Sequence, residues 1–232
     1  MIPLKILAFN ASPRKQNGVT DIVLDLFLGS AAEAGANVEK HYVVDLDIKG
    51  CLGCFSCWWK TPGKCVHRDD MDWILPKMVE ADVLVFGTPI YHYNIIHYLQ
   101  RLMERTLPLA LPEMDLTGDG THHPGRYRDK PQKIVVAAVC GFPDQYNFNQ
   151  VRGLFPNAAK MLLPASMMLQ NKDGRRYLKG FIEALQKAGK DLVEYGVIKS
   201  ETQSKLIVEY PPEVKEKIVA LYNAYSSKAI PT

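Results

Sequence analysis

Short runs of consecutive apolar residues recur along this chain, and segments with helical spacing of their apolar residues separate them. The clearest run is Val83 to Phe86, which is bounded by Asp82 on one side and by Gly87-Thr88-Pro89 on the other. Such a run is typical of a strand that is buried on both faces of a parallel sheet. Further strands are predicted at 4–9, 38–46 and 134–139, with a weaker fifth strand at 165–169.

Strands that alternate with helices form right-handed βαβ units, and hence a parallel sheet with helices on both faces. We therefore predict an α/β fold with a doubly wound, five-stranded parallel sheet. In such sheets ligands bind beyond the carboxyl ends of the strands. Loops 10–20, 87–94 and 140–148 each follow a predicted strand, so we expect them to meet at one edge of the sheet.

The length of the chain favours one domain over residues 1–232. Residues 106–130 are predicted to form a long excursion, because they carry prolines and glycines without sustained periodicity. Residues 201–232 are expected to form a helical extension. Thr20 is the predicted N-cap of the first helix, and Asp69-Asp70 are predicted to cap a helix that Pro76 breaks or kinks. A further helix is predicted near 149–162.

The 28 Lys and Arg exceed the 25 Asp and Glu by three, and no block of five like charges occurs. This scattered excess does not indicate nucleic-acid binding. No segment approaches the roughly 18 uninterrupted apolar residues of a membrane-spanning helix, and the N-terminal segment lacks a signal-peptide pattern. We therefore expect a soluble, cytoplasmic protein with neither a nucleic-acid partner nor a membrane partner.

The loop from Asn10 to Thr20 contains the donors that a phosphate monoester requires: hydroxyl groups, an arginine and backbone N–H groups at a helix N-terminus. The G-K-[ST] sequence of a Walker A motif and the G-x-G-x-x-G of dinucleotide-binding folds do not occur in it. An ordinary polar turn has a similar composition, so the loop alone leaves both interpretations open.

Three segments, in the same order along the chain, resemble the family of NADPH-dependent FMN reductases and iron-sulfur flavoproteins. Ser12-Pro13-Arg14 followed by Thr20 resembles the S-P-R-x-x-x-N-T phosphate loop of that family. Thr88-Pro89-Ile90-Tyr91 resembles its S-P-x-Y isoalloxazine loop, and Cys65-x-x-x-Asp69-Asp70-Met71 resembles its C-x-x-x-D-D-M segment. The likeness covers roughly residues 4–145 and departs from the pattern at Val19, where the family usually has Asn.

The resemblance implies a flavodoxin-like fold that carries FMN and takes electrons from NAD(P)H. The residues that it assigns to the FMN phosphate are Ser12, Arg14, Asn17 and Thr20, and Val19 is counted among the cofactor-binding residues. Those around the ring are Pro89, Ile90, Tyr91, His92, Tyr93, Asn94, Gly141 and Phe142. The expected reaction is hydride transfer to the flavin N5, followed by reduction of an acceptor. Because the flavin carries this chemistry, no side chain is required as an acid or base.

The acceptor implied by the resemblance is a small molecule, such as a quinone or nitroaromatic compound, or a protein. The resemblance also implies a homodimer or homotetramer. Two alternatives remain open at this stage. One is a non-enzymatic electron carrier like a flavodoxin, and the other is a zinc-stabilised or thiol-switching binding module.

Four of the five cysteines form a dense run, Cys51-x2-Cys54-x2-Cys57-x7-Cys65, in which a Pro62-Gly63 turn can bring the last cysteine back to the others. Four thiolates can bind one metal centre, and their spacing does not distinguish a [4Fe–4S] cluster from zinc. The iron-sulfur flavoproteins have a similar run, so the resemblance makes the cluster a concrete hypothesis. Without metal, these cysteines are packing residues or a pair that oxidises reversibly.

Overall fold

The computed structural model describes residues 2–118, 120–127 and 132–229, with side chains as far as residue 226. The strands are β1 (Lys5–Asn10), β2 (Asn37–Tyr42), β3 (Val83–Tyr91), β4 (Asn94–Ile95), β5 (Asp115–Thr117), β6 (Gly120–His122), β7 (Lys133–Val139) and β8 (Ala159–Leu163). The helices are α1 (Val19–Glu33), α2 (Ser56–Trp59), α3 (Met71–Glu80), α4 (His97–Glu104), α5 (Asn149–Leu154), α6 (Lys172–Tyr177), α7 (Lys179–Tyr195), α8 (Ser200–Lys205) and α9 (Pro212–Ala229).

Five strands form a parallel sheet in the order β2-β1-β3-β7-β8, and the short β4 turns back antiparallel on the end of β3. This is the flavodoxin-like strand order of doubly wound sheets. Helices α1 and α7 cover one face, and α3, α4 and α5 cover the other. The predicted fold class is therefore confirmed.

The central strand β3 shows why this sequence folds as a parallel sheet. Val83 and Val85 enter the core beneath α1 and α7, whereas Leu84 and Phe86 enter the core beneath α3 and α4. All four side chains are buried. Because both faces of the strand are apolar, neither face can be left in water, and a layer of helices is needed on each side.

The predicted fifth strand was placed wrongly. Residues 166–170 form a 3-10 turn, and the strand is β8, at 159–163, within the segment predicted as helix. The helix predicted over 149–162 ends at Leu154. Alanine, lysine, methionine and leucine in β8 all favour helices, but pairing with β7 buries Met161, Leu162 and Leu163, and this tertiary contact overrides local propensity.

The predicted N-cap of α1 was wrong, and so was the predicted break at Pro76. Helix α1 begins at Val19 with Gly18 as its N-cap, so Thr20 lies within the first turn instead of capping it. Helix α3 continues through Pro76, which lies on its exposed side, while Ile74 and Met78 hold the helix to the core. The second strand ends at Tyr42, where a 3-10 turn begins.

The predicted excursion has structure of its own in its described parts, 106–118 and 120–127. It contains a 3-10 turn at 107–109 and the β5–β6 hairpin. Residues 119 and 128–130 of the predicted excursion, and 230–232 of the predicted extension, lie outside the described residues. The described extension contains α8 and α9. The single-domain assignment stays a prediction.

Within the described ranges, none of the helices combines the length and apolar character needed to cross a membrane.

The crossing of α1 and α7 depends on a glycine. A Cβ atom on Gly189 of α7 would lie 2.2 Å from Ser30 Oγ and 2.3 Å from the Phe27 carbonyl oxygen of α1. The two helix backbones are therefore in close approach at this point, and only glycine leaves room for it.

We expect Gly189→Ala to lower the free energy of unfolding by about 1–3 kcal/mol, because overpacking forces the helices apart. The matched control is Gly29→Ala, an exposed position in α1 with nothing within 4 Å of the added Cβ. The control should raise stability by about 0.5–1 kcal/mol, because alanine is the better helix former. Urea unfolding followed by circular dichroism measures both, and equal effects of the two substitutions would contradict the close crossing.

Candidate functional site

Three loops meet at the carboxyl edge of the sheet. They are the loop between β1 and α1, the β3–β4 hairpin, and the loop that follows β7. Asn10 at the end of β1 lies opposite Gly87 of β3, and Pro89 lies opposite Val139 of β7. The Ala11 N–H donates a 2.8 Å hydrogen bond to the Gly87 carbonyl oxygen. The sheet therefore brings together segments that are far apart in sequence.

Ser12 is the centre of the first loop. Its side chain is buried, its N–H donates to Asn10 Oδ1 at 2.9 Å, and its Oγ accepts a 3.3 Å hydrogen bond from the Arg14 N–H. A Cβ atom on Gly18 would lie 2.8 Å from Ser12 Oγ. The loop is thus folded back closely on the serine hydroxyl, at the start of α1.

The N-terminus of α1 has the features of an anion site. Gly18 is the N-cap, and no side-chain hydrogen bond caps the described helix end. The side chain of Val19 is buried, so only its backbone N–H can contact a ligand. The Thr20 methyl group packs next to Gly87. First-turn N–H groups and the positive end of the helix dipole favour a negatively charged ligand.

A buried polar network that the sequence reasoning missed holds this loop in place. The Asp21 carboxylate accepts hydrogen bonds from Asn10 Nδ2 at 2.8 Å, Lys40 Nζ at 2.8 Å and Tyr42 OH at 3.3 Å. Burial by itself lowers the pKa of Lys40, but hydrogen bonds to Asp21 and Asp25 outweigh it and raise the pKa overall. The sequence does show an aspartate in the first turn of the predicted helix. Its partners on β2 could not be identified, because they are distant along the chain.

The remaining side chains assigned to the phosphate differ in exposure. Arg14 and Asn17 are exposed on the loop, where they can approach a ligand from the solvent side. Lys15, between them, has a positive φ of 47° and forms an ion pair with Asp45. The two neighbouring cations are therefore not equivalent, because Lys15 already has an acidic partner.

The β3–β4 hairpin is a strained two-residue turn. Tyr91 pairs with Asn94, and the turn residues His92 and Tyr93 have φ values of 49° and 62°. Such turns normally contain Asn-Gly, because other residues are strained at positive φ. The strain costs about 1–3 kcal/mol per residue and typically occurs at functional sites. Pro89 and Ile90 are buried beneath the turn.

Aromatic rings join the hairpin to the loop after β7. Tyr93 stacks on Phe142 with a centroid distance of 6.2 Å and an interplanar angle of 11°, and on Tyr146 with 6.3 Å and 23°. Tyr91, Tyr93, Phe142 and Tyr146 are each about half exposed. The predicted ring residues from the two loops are therefore brought together, and Tyr146 is a member that the sequence reasoning missed.

Cys140, just before this loop, is a core thiol. It is 5% exposed, and its Sγ donates to the Phe142 carbonyl oxygen at 3.3 Å. Burial raises the pKa of Cys140 to about 12, so the thiol stays neutral. It contributes packing beneath the aromatic residues.

Helix α9 adds a wall that the sequence reasoning did not assign. A cavity of about 280 Å³ lies between Ile90, Phe142 and Pro143 of the two loops and Ile218, Val219 and Tyr222 of α9. Lys215 Nζ is 2.7 Å from Asp144 Oδ1 and fastens the start of α9 to the loop. An apolar space therefore lies directly beside the exposed aromatic residues.

The cysteine loop follows β2 and contains α2. Cys51 and Cys54 are exposed, Cys57 is buried and Cys65 is half-buried. Burial raises the pKa of the Cys57 thiol. Hydrogen bonds from Ser56 lower the pKa of Cys54.

A turn returns the chain from Cys57 to Cys65. Gly63 has a φ of 80°, and its N–H donates a 2.9 Å hydrogen bond to the Cys57 carbonyl oxygen. All five cysteines are free thiols. In the described part of the chain, no three His, Cys, Asp or Glu side chains are arranged to share a single metal ion. The donor set itself, four neighbouring cysteines, matches iron–sulfur and zinc chemistry.

The excursion packs on the cysteine loop. Trp58 Nε1 donates to the Leu107 carbonyl oxygen at 3.2 Å, and the Trp58 ring lies 4.7 Å from the His123 ring. His123 therefore contacts the cysteine loop through Trp58, the residue after Cys57.

The predicted capping role of Asp69-Asp70 is only part of what these residues do. Asp69 Oδ1 accepts from the Met71 N–H at 3.1 Å, whereas Asp70 occupies the N-cap position without a side-chain cap. Asp70 instead accepts from the Asp47 N–H and from Trp73 Nε1. Asp69 also forms a buried ion pair with Arg105, which sequence reasoning could not predict.

The family described as NADPH-dependent FMN reductase matches residues 4–145. An iron-sulfur flavoprotein of Methanocaldococcus jannaschii is 36% identical over 108 residues, which cover 47% of this chain and 54% of the relative. The chain spans about half the length of the curated relatives that it matches.

Solved structures show the same fold. The NAD(P)H:quinone oxidoreductase of Methanothermobacter marburgensis has a TM-score of 0.62 at 14% identity, covering 82% of this chain and 97% of the other. An FMN-dependent NADH-azoreductase of Bacillus anthracis, solved in complex with FMN, has a TM-score of 0.61 at 18% identity, covering 82% of this chain and 100% of the other. Because the family matches residues 4–145, well over half of the chain, the chain belongs to the NADPH-dependent FMN reductase family.

Proposed function

We propose that this chain is an FMN-dependent oxidoreductase that passes electrons from NAD(P)H to a small-molecule acceptor. The observation that carries the proposal is the placement of Ser12 and the uncapped start of α1 at the same sheet edge as the aromatic hairpin. FMN has a phosphate at one end and an aromatic ring at the other. The helix N-terminus beside Ser12 suits the phosphate, and the aromatic hairpin suits the ring. Membership of the FMN reductase family supports FMN and NAD(P)H as the cofactors.

The residues at this edge divide into two groups by what they would do for FMN. Ser12, Arg14, Asn17 and the N–H groups of Val19 and Thr20 would bind the phosphate. The ring residues, from Pro89 to Asn94 with Gly141 and Phe142, would contact the isoalloxazine and exclude water from it. FMN, when bound, supplies the redox chemistry by accepting two electrons and passing them on.

The cavity beside α9 supports a small, planar and apolar acceptor such as a quinone or nitroaromatic compound. Its walls are aliphatic and aromatic, and it opens next to the exposed ring of Phe142. Apolar walls with few polar groups are typical of small-molecule sites. We propose that Tyr222 contacts the acceptor from the α9 side.

The proposal includes a [4Fe–4S] cluster on Cys51, Cys54, Cys57 and Cys65. Its support is the turn at Gly63, which folds the chain back from Cys57 toward Cys65, and the naming of curated relatives as iron-sulfur flavoproteins. The homodimer or homotetramer and the cytoplasmic location expected from the sequence stay predictions.

Arg14→Ala should weaken FMN binding by about 10- to 100-fold, because a hydrogen bond to a charged group contributes about 1.5–3 kcal/mol. Riboflavin lacks the phosphate, so its affinity should not change. Flavin fluorescence titration measures both ligands. Lys15→Ala removes a neighbouring charge that already pairs with Asp45, and it should leave FMN affinity near that of the wild type. Loss of both affinities in Arg14→Ala would place Arg14 outside the phosphate site.

Protein purified under anaerobic conditions should contain iron and acid-labile sulfide in equal amounts, with the broad visible absorbance of a cluster in addition to the flavin bands. Cys54→Ala should lose iron and sulfide, whereas Cys140→Ala should retain both because Cys140 is a core thiol. Elemental analysis and absorption spectra decide the question. Stoichiometric zinc, or neither metal, would remove the cluster from the proposal and leave the flavin assignment intact.

The wild type should oxidise NAD(P)H continuously when a benzoquinone is supplied, and an electron carrier without reductase activity would not. Tyr222→Ala should raise the KM for the quinone by about 10-fold, because loss of an apolar contact in a pocket costs about 1–3 kcal/mol. Leu221→Ala is the control, since Leu221 is 72% exposed on the same helix. Equal quinone KM values in the two variants would exclude α9 from the acceptor site.

A further inference from the structure

Arg105 is the largest fully buried side chain in the described part of the chain, and neither the fold nor the flavin site explains it. The residue is 2% exposed, and the side chains of Arg105 and Asp69 are 1% and 0% exposed. Burying an ion pair costs several kcal/mol per ion before the attraction is counted, and apolar residues of similar volume often serve as well. Stability alone is therefore a weak explanation for this pair.

The hydrogen bonds of Arg105 lie at the base of the cysteine loop. Nη1 donates to Asp69 Oδ2 at 2.6 Å, Nη2 donates to Asp69 Oδ1 at 3.1 Å, and Nη1 also donates to the Lys49 carbonyl oxygen at 2.7 Å. The Lys49 N–H donates to Asp69 Oδ2 at 3.0 Å. One guanidinium thus binds Lys49, two residues before the first cysteine of the run, and Asp69, four residues after the last.

Further hydrogen bonds close the same junction, which we call the neck of the cysteine loop (residues 47–50 and 67–71). The Asp70 N–H donates to the Asp47 carbonyl oxygen at 3.0 Å, and the Asp47 N–H donates to Asp70 Oδ2 at 2.7 Å. His67 Nε2 lies 3.0 Å from the Gly50 carbonyl oxygen. Hydrogen bonds between its two segments therefore hold the neck closed, and they fix the two ends of the cysteine loop relative to each other.

Arg105 also has a donor that the hydrogen bonds of the neck do not use. Its Nε is buried without a hydrogen-bond partner, so one donor of the guanidinium is unused. Arginine has five N–H donors and stays charged, and a buried donor without a partner is costly.

We propose that Arg105 is a positioning residue for an anionic metal–thiolate centre, holding the neck closed and placing a buried guanidinium at the base of the cysteine loop. Four thiolates bring more negative charge than the metal core neutralises, so a nearby buried cation stabilises the assembled centre. Net charge and hydrogen bonds to the sulfurs also set the reduction potential of an iron–sulfur cluster. This inference rests on the proposed cluster.

The test compares three variants with the wild type, each purified anaerobically as the full chain. Arg105→Lys keeps the charge and loses the forked geometry. Arg105→Met with Asp69→Leu removes both charges together, which leaves no unpaired buried ion. Arg101→Met is the matched control. It removes a charge from α4, the helix that Arg105 follows as C-cap, at a guanidinium that lies over the Tyr98 ring, 5.7 Å from its centroid.

Iron and sulfide content, FMN occupancy and the midpoint potential of the cluster are measured on each protein. The double variant should keep its FMN but lose most of its iron, and the cluster that remains should have a more negative potential. Arg105→Lys should retain a potential close to that of the wild type with reduced iron content. Arg101→Met should match the wild type in all three measurements.

Wild-type iron content and potential in the double variant would overturn the role of Arg105 while leaving the proposed cluster in place. A wild type without iron and sulfide would overturn the cluster and, with it, this inference. Loss of FMN together with iron in the double variant would show general unfolding, and would assign the pair to stability alone.

Discussion

The parallel pairing of β1 with β3 is the constraint on which the candidate flavin site depends. It sets Gly87 beside the end of β1, where the Ala11 N–H bonds to the Gly87 carbonyl oxygen. A Cβ atom on Gly87 would lie 2.5 Å from Leu24 Cδ1 and 3.0 Å from Thr20 Cγ2, so the first turns of α1 sit directly on the sheet here. This close packing of α1 on the sheet places the N-terminus of the helix, which no side chain caps, beside Ser12.

Backbone strain is concentrated on the same side of the molecule. The described non-glycine residues with positive φ are Lys15, Phe55, His92, Tyr93 and Ala165, and each lies in a loop beyond the carboxyl end of a sheet strand. The sheet and helices are regular, and the loops that would bind cofactors are not. Such strain persists only where the surrounding structure fixes the conformation, which is the usual condition of a binding site.

Sequence patterns could predict the features that depend on neighbouring residues. The buried run of β3 and the polar loop after β1 are of this kind, and the structure brings the loop residues to the expected edge. The β8 strand was misplaced because its helix-favouring residues are overridden by pairing with β7. The Asp21 network and the Asp69–Arg105 pair could not be predicted, since their partners lie 19 and 36 residues away along the chain.

The two candidate sites provide positive charge in different ways, and the difference fits the groups proposed for them. At the phosphate loop the charge comes from an exposed Arg14 and a helix N-terminus, which water can reach, so a ligand can bind and leave. At the cysteine loop it comes from Arg105, which is buried and tied to Asp69 before any centre assembles. Because the two loops follow β1 and β2, adjacent parallel strands of one sheet, a flavin and a cysteine-bound centre held there would share one edge of the sheet.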